Sequence, residues 1–327
     1  MSLRPPPGTS SEATSQKCQP VATARGKDRH DRKPDPRLGQ ILSGRYLLEE
    51  EIGHGGVATV FASTNQENGQ RVAVKLLHEW CNGDQEIIRR LLAEAEATRG
   101  LNHPNLVRSS EAHCSDGMAY YVMELLEGCD LAVLLHRERR IEVERAARII
   151  SEAAKGVAEL HRNGIIHRDI KPANIFIVVN GQEESIKIID LGISKFCSGQ
   201  RKRRVSENSR NAEGNFEKGY GTMAYAAPEQ IMGMAHSHLA DIYSLGVTLY
   251  EMICGSLPFS YKNIGKTILE KKSGAPEAPG KRCPELRIPE AMDAIILRAM
   301  ANRPEDRFQS AEELRDALTE MLERASG

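Results

Sequence analysis

Two short apolar runs, Ile175–Val179 and Ile186–Ile189, stand on either side of a turn rich in Asn, Gly and Gln. β-Branched runs bounded by turn residues predict a β-hairpin. The stretch from Tyr46 to Arg71 breaks in a similar way. YLLEEEI predicts a strand, a glycine-rich turn follows, VATVFA predicts a second strand, and Asn68-Gly69 marks a hairpin before RVAVKLL. Tyr120–Leu125 predicts a further strand. Helical spacing takes over elsewhere. In Asn82–Gly100, Ile88, Leu91, Leu92 and Ala95 form a stripe, Asn82 and Gln85 resemble a capping pair, and Gly100 stops the helix. In Glu144–Arg162, Ala147, Ile150, Ala154, Val157 and Leu160 share one face, and Gly164 ends it. Ala240–Gly255 is apolar nearly all round, the mark of a buried helix. Ala291–Ala301 predicts another, and Ser310 with Glu313 forms a capping box that opens a last helix with Leu314 and Leu318 inward.

Residues 1–43 lack large apolar side chains and cannot offset their ordering entropy, so a disordered tail is expected. The stretch 193–219 is polar and basic without periodicity and reads as an exposed loop. The remainder, with 40 % hydrophobic and 27 % charged residues, is ordinary globular composition. A formal net charge of −1 gives no global field toward nucleic acid or a membrane surface, and neither partner is expected. The seven cysteines are scattered without a C-x-x-C pair, which favours reduced thiols in a cytoplasmic protein over a disulfide framework or a zinc site. The N-terminus shows no signal-peptide core, and the most apolar stretch, Leu239–Phe259, contains Asp241 and Glu251, so no membrane anchor is expected.

The candidate chemistry borders the hairpin. Asp169 and Asn174 precede its first run and Asp190 follows its second, so a rigid element holds three oxygen-bearing side chains near one another. Such hard oxygens suit Mg²⁺, which takes few protein ligands and prefers phosphate oxygens for the rest. The turn from Gly53 to Val60 allows backbone N–H groups to approach phosphates. It is not a Walker A loop, because no G-K-[ST] follows.

Taken together, the glycine turn, VAVK, HRDIKPAN, DLG, APE, DIYSLG and a late arginine stand in the order found in protein kinases. The chain resembles the bacterial eukaryotic-like serine/threonine kinases from about Arg45 to Leu322. The resemblance implies an α+β, two-lobed fold, with a small β-rich lobe over 44–127 carrying one key helix and a larger, mainly helical lobe over 128–322. It implies ATP as cofactor with Mg²⁺, or Mn²⁺ in its place, and serine or threonine hydroxyls of proteins as acceptors. A transient homodimer is one arrangement that autophosphorylation allows. Pseudokinases would lack equivalents of Lys75, Asp169 or Asp190, and antibiotic phosphotransferases lack APE and its arginine partner.

The roles transfer position by position. Asp169 accepts or orients the substrate hydroxyl proton, Lys171 neutralises the transferring phosphoryl group, and Thr222 braces Asp169. Asn174 and Asp190 hold the metal. Lys75 binds the α/β-phosphates and is kept in place by Glu94, which is favoured over Glu96. The nucleotide site comprises Ile52, Gly53, His54, Gly55, Gly56, Val57, Ala58, Thr59 and Val60 of the turn, Ala73 beside Lys75, Met123, Glu124 and Leu126 of the hinge, Asp130 at the ribose, and Phe176. Ala58 replaces a usual glycine, and Leu191 replaces the usual phenylalanine of D-F-G. Asp241 anchors the catalytic loop, and Arg307 pairs with Glu229. Regulation is expected from a phosphoserine among Ser198, Ser206 and Ser209, bound by Arg168 and Lys195.

Overall fold

The computed structural model describes residues 34–115, 118–181, 183–191, 223–234, 237–259, 267, 269–271 and 274–326. Lys195, Ser198, Ser206, Ser209 and Thr222 lie outside these residues. The first lobe is a six-stranded antiparallel sheet. Its strands are β1 (Ile41–Leu42), β2 (Tyr46–His54), β3 (Ala58–Asn65), β4 (Arg71–Leu77), β5 (Ser109–Ser115) and β6 (Met118–Glu124), in spatial order β1-β2-β3-β4-β6-β5. The Asn68-Gly69 hairpin forms as expected. Asn68 Oδ1 accepts the Gln70 N–H at 2.9 Å, and Gly69 takes φ +71°, which a side chain would resist.

Register places the chemistry. Val60 opposes Lys75 and Ala73 opposes Met123, so the strand leaving the glycine turn, the lysine and the hinge strand share one surface. Helix α1 (Gln85–Arg99) lies against the sheet, burying Ile88, Leu91 and Ala95 on Ala58, Leu77, Cys81 and Tyr121. Its cap is Asp84, whose carboxylate accepts the Glu86 and Ile87 N–H groups, and not the expected Asn82–Gln85 pair. A short 3₁₀ turn, Glu79–Cys81, uses Asn82 at its own end instead.

The expected disordered tail does not run through residue 43. Ile41 and Leu42 pair with Leu47 and Tyr46, and Leu42 is buried. Ahead of this strand, Arg37 binds the Asp35 carboxylate at 2.6 Å and donates to Leu77 O at 3.0 Å. Its guanidinium lies 5.3 Å from the Phe61 ring centroid. Composition undervalued these contacts because one arginine supplies most of them.

The second lobe has helices α2 (Leu131–Glu138), α3 (Val143–Arg162), α4 (Pro228–Ile231), α5 (Leu239–Cys254), α6 (Glu290–Ala299) and α7 (Ala311–Ser326), and a small sheet of β7 (Gly128–Asp130), β8 (Ile175–Asn180) and β9 (Glu183–Ile188). Helix α5 is buried along nearly its whole length, as its apolar composition requires, and packs on α3 and α6. The expected box at Ser310 forms by half. Ser310 Oγ accepts the Glu313 N–H at 3.1 Å, but the Glu313 carboxylate accepts from Gln309. Gly128 joins the hinge to β7 at φ +146°, and a Cβ there would lie 1.9 Å from Ile177 O, so only glycine lets β7 meet β8. Among the described residues, no helix is long and apolar enough to cross a membrane, and Cys81, Cys114, Cys129, Cys254 and Cys283 are free of disulfides.

Candidate active site

The site begins with a lysine shared by two lobes. Lys75 Nζ donates to Glu94 Oε1 at 2.8 Å and to Asp190 Oδ1 at 2.7 Å. Helix α1 supplies Glu94 from its buried face. Glu94 is buried, whereas Glu96 is exposed with Arg99 3.4 Å away, which resolves the choice between the two glutamates. Burial disfavours the Lys75 ammonium, but Asp190 and Glu94 outweigh it and hold its pKa well above the ordinary lysine value. Burial pushes Glu94 upward, and Lys75 opposes that shift. Tyr121, opposite Lys75 in the β4–β6 register, donates its hydroxyl to Glu94 Oε1 at 2.9 Å. Sequence reasoning passed over Tyr121. Its cue was its strand register against the lysine.

The catalytic loop is held from below by one buried carboxylate. Asp241 of α5 accepts the backbone N–H of His167 at 2.8 Å and of Arg168 at 2.7 Å, and His161 Nε2 lies 2.8 Å from it. Burial would raise the Asp241 pKa, but the His161 bond and the charges beside it win and hold it below the usual carboxylate range. His167 is wholly buried, which lowers its pKa toward the neutral ring. Its Nδ1 accepts the Asp169 N–H at 3.2 Å, so the ring proton belongs on Nε2, 3.4 Å from Ile189 O. One imidazole thus ties the catalytic loop to the strand that leads to Asp190.

Asp169 sits at the centre of a small polar cluster. Lys171 Nζ lies 2.9 Å from Asp169 Oδ2, and the Asn174 amide nitrogen donates to Asp169 O at 2.8 Å and to its Oδ2 at 2.9 Å. With its nitrogen committed, Asn174 has its amide oxygen as the end suited to a cation. Arg168 and Asp190 both adopt positive φ, +66° and +55°, a region that costs a non-glycine residue roughly 1–2 kcal/mol.

A cleft opens between the lobes above this cluster. Of the expected nucleotide residues, Ile52, Gly53, Val60, Ala73, Met123, Glu124, Leu126, Asp130 and Phe176 line it, and so does the expected metal ligand Asp190. Val107, Cys129, Val133 and Ile189 also line it and were not anticipated. Glu124 is anchored: its N–H donates to Arg108 O at 3.0 Å, and its carboxylate binds Lys187 at 2.8 Å. Asp130 caps α2, accepting the Val133 N–H at 2.9 Å. Ala58 and Thr59 depart from the expected nucleotide set. Ala58 packs into the core beneath α1, and the buried Thr59 hydroxyl receives Arg37 at 3.0 Å and lies 3.1 Å from His78 Nε2. The remaining turn residues, His54 to Val57, are outside the cleft lining, and Lys75 lies just behind it. The predicted Arg307–Glu229 pair forms as a buried fork, at 2.7 and 2.8 Å.

The family profile described as protein kinase domain matches residues 46–324. The serine/threonine-protein kinase pkn3 of Myxococcus xanthus is 32 % identical over 288 residues, covering 87 % of this chain and 51 % of that protein. The serine/threonine-protein kinase PknB of Mycolicibacterium smegmatis is 34 % identical over 288 residues, covering 87 % and 44 %. The chain spans about half the length of the curated relatives it matches. Among solved structures, the Mycobacterium tuberculosis PknI kinase domain superposes with a TM-score of 0.66 at 22 % identity, covering 86 % of this chain and 98 % of that one. Rad53 1-466 in complex with AMP-PNP gives 0.66 at 27 % identity, covering 84 % and 64 %. The chain belongs to the protein kinase family. Within that family it falls with the bacterial eukaryotic-like serine/threonine kinases.

Proposed function

We propose that this chain is an ATP-dependent protein kinase that transfers the γ-phosphoryl group to serine and threonine hydroxyls of proteins. The single observation that carries this is Lys75 bound at once to Glu94 and Asp190 at the back of an apolar cleft. The Rad53 structure, solved with AMP-PNP, supports a nucleotide in the equivalent cleft. Adenine would lie between Ala73 and Phe176, with Met123 at its rear, the Glu124 carbonyl as acceptor and the Leu126 N–H as donor. Phosphoryl transfer asks for charge neutralisation and in-line placement and for little covalent work. Lys75 would hold the α/β-phosphates, Lys171 would meet the transferring group, and Asp169 would orient the acceptor hydroxyl and take its proton.

Asp190 and Asn174 fit a divalent cation, since a carboxylate and an amide oxygen are the hard donors Mg²⁺ prefers. Among the described residues, no group of three or more His, Cys, Asp or Glu could hold a metal alone, so phosphate oxygens would complete the ligand set. Bound there, Mg²⁺ or Mn²⁺ would neutralise phosphate charge. Autophosphorylation through a transient homodimer, a signalling role, and control by phosphoserine at Ser206 or Ser209 are part of the same reading. A cytoplasmic location, where ATP is available, agrees with the free thiols.

The test is incubation of purified protein with ATP and Mg²⁺, followed by mass-spectrometric mapping of phosphate on the protein itself and on myelin basic protein. Phosphoserine or phosphothreonine that is absent in Asp169→Ala is the expected result. Phosphate on neither protein, or on an aminoglycoside alone, overturns the reading.

A further inference from the structure

Lys271 is 2 % exposed, and none of the roles above uses it. Its ammonium donates to Ala226 O at 2.6 Å, to Ala224 O at 2.9 Å and to Met223 O at 3.5 Å. It also lies 5.2 Å from the Tyr243 ring centroid, and the Arg307 guanidinium lies 5.0 Å from the same centroid. The one remaining carbonyl of the stretch, Tyr225 O, accepts from Ser244 Oγ at 3.0 Å. Every carbonyl from 223 to 226 is therefore taken by a donor from a distant part of the chain. Lysines are seldom buried, because a long stem lets the charge reach water. An apolar side chain would fill this space without a desolvation cost, so what a lysine adds here is its hold on the backbone.

That backbone matters because of what it connects. On one side it follows Thr222, the residue expected to brace Asp169. On the other it enters α4, where Arg307 grips Glu229 and the Gln230 side-chain amide donates to Arg168 O at 3.4 Å, one residue before Asp169. The stretch 223–226 is thus a strap beside the catalytic loop, on the acceptor side of the site. The nucleotide cleft is lined by other elements.

We propose that Lys271 is a positioning residue for the protein acceptor. By clamping the carbonyls of Met223, Ala224 and Ala226 it holds the strap in the shape that presents a substrate hydroxyl to Asp169. The inference rests on the kinase reading above. Misplacement of a positioning element by an ångström costs up to about 100-fold in rate, so a loosened strap has a measurable effect.

The experiment compares wild type with Lys271→Met, which keeps the length and loses the donors, and with Lys271→Gln, which keeps two N–H donors. Thermal melting reports the fold. Steady-state kinetics are measured with myelin basic protein as acceptor, varying acceptor and ATP separately. The expected result for Lys271→Met is a kcat/KM for acceptor lowered by about tenfold or more, with the KM for ATP within about twofold of wild type. Lys271→Gln should recover part of the loss. If the Met variant does not fold, Lys271→Gln decides on the same readout, with a smaller fall confined to the acceptor. A folded variant with wild-type acceptor kinetics overturns the inference, as does a KM for ATP that rises as much as that for acceptor. Wild-type protein that phosphorylates nothing overturns the kinase reading and this inference with it. Active wild type beside an unaffected Met variant overturns this inference alone.

Discussion

Arg37 donates to Thr59 Oγ1 at 3.0 Å, joining the segment ahead of the sheet to the strand that leaves the glycine-rich turn. The same guanidinium holds Leu77 O and the Asp35 carboxylate. Arg37→Ala should therefore destabilise the protein by roughly 1.5–3 kcal/mol, the range for hydrogen bonds to charged groups. It should also raise the KM for ATP, because the exit of the turn loses its tether. Urea unfolding and ATP titration check both, and a variant matching wild type in both would show the segment to be incidental.

Lys75→Met, Asp169→Ala and Asp190→Ala should each lower phosphoryl transfer by roughly 100-fold or more while leaving the circular dichroism spectrum unchanged. The work proposed for them is placement and charge, not core packing. Near-wild-type self-phosphorylation in Asp169→Ala would remove that residue from the mechanism.

Arg307 is wholly buried and forks onto Glu229 while also donating to Leu239 O at 3.0 Å. Removing one member of a buried pair leaves the other charge without compensation, at about 3–5 kcal/mol. Arg307→Ala should lose stability on that scale in a denaturant melt, and a loss below about 1 kcal/mol would mean that water reaches Glu229 and replaces the arginine.

Lys271 gives a pH dependence of definite sign. Burial lowers its pKa to about 7, with Glu229 opposing the shift, from a reference value of 10.5. As pH rises from 7 toward 10.5, the folded protein has released this proton and the unfolded chain has kept it. The unfolded state then binds more protons, so stability rises with pH across that window. The neutral amine still carries two N–H donors, enough for Ala224 and Ala226. The stability of wild type relative to Lys271→Met should therefore grow between pH 7 and pH 10, measured by urea unfolding at a series of pH values. A constant difference would show that the carbonyls keep the ammonium charged throughout.

Gly128→Ala tests the junction between hinge and lower lobe. A methyl group 1.9 Å from Ile177 O cannot be accommodated without separating β7 from β8. Both a lower melting temperature and weaker ATP binding should follow, because Cys129 and Asp130 of β7 line the cleft.

The parts of the site that were legible in the sequence are those carried on contiguous residues. Asp169, Lys171 and Asn174 fall within six positions, and their mutual hydrogen bonds follow from that spacing. The main helices were legible because their faces keep one period. Strand β5, SSEAHCS, was not, because its polar side chains hide the alternation, although Asp116-Gly117 after it was a hairpin signal. Strand β1 was obscured by the polar composition around it. Lys271 had no local mark at all: in ILEKK it reads as a surface lysine, and its carbonyl partners are 45 to 48 residues away.

Asp190 sits at φ +55°, and its carboxylate is held by Lys75. Asp190 thus joins a disfavoured backbone conformation to a carboxylate tied across the lobes to Lys75. Lys75→Met should then have two effects: the proposed phosphate ligand is removed, and the Asp190 carboxylate loses a partner that holds it at the cleft. The two residues form one device spread over 115 positions of sequence. Their substitutions should not add, so a Lys75→Met, Asp190→Ala double variant should be little worse than either single change.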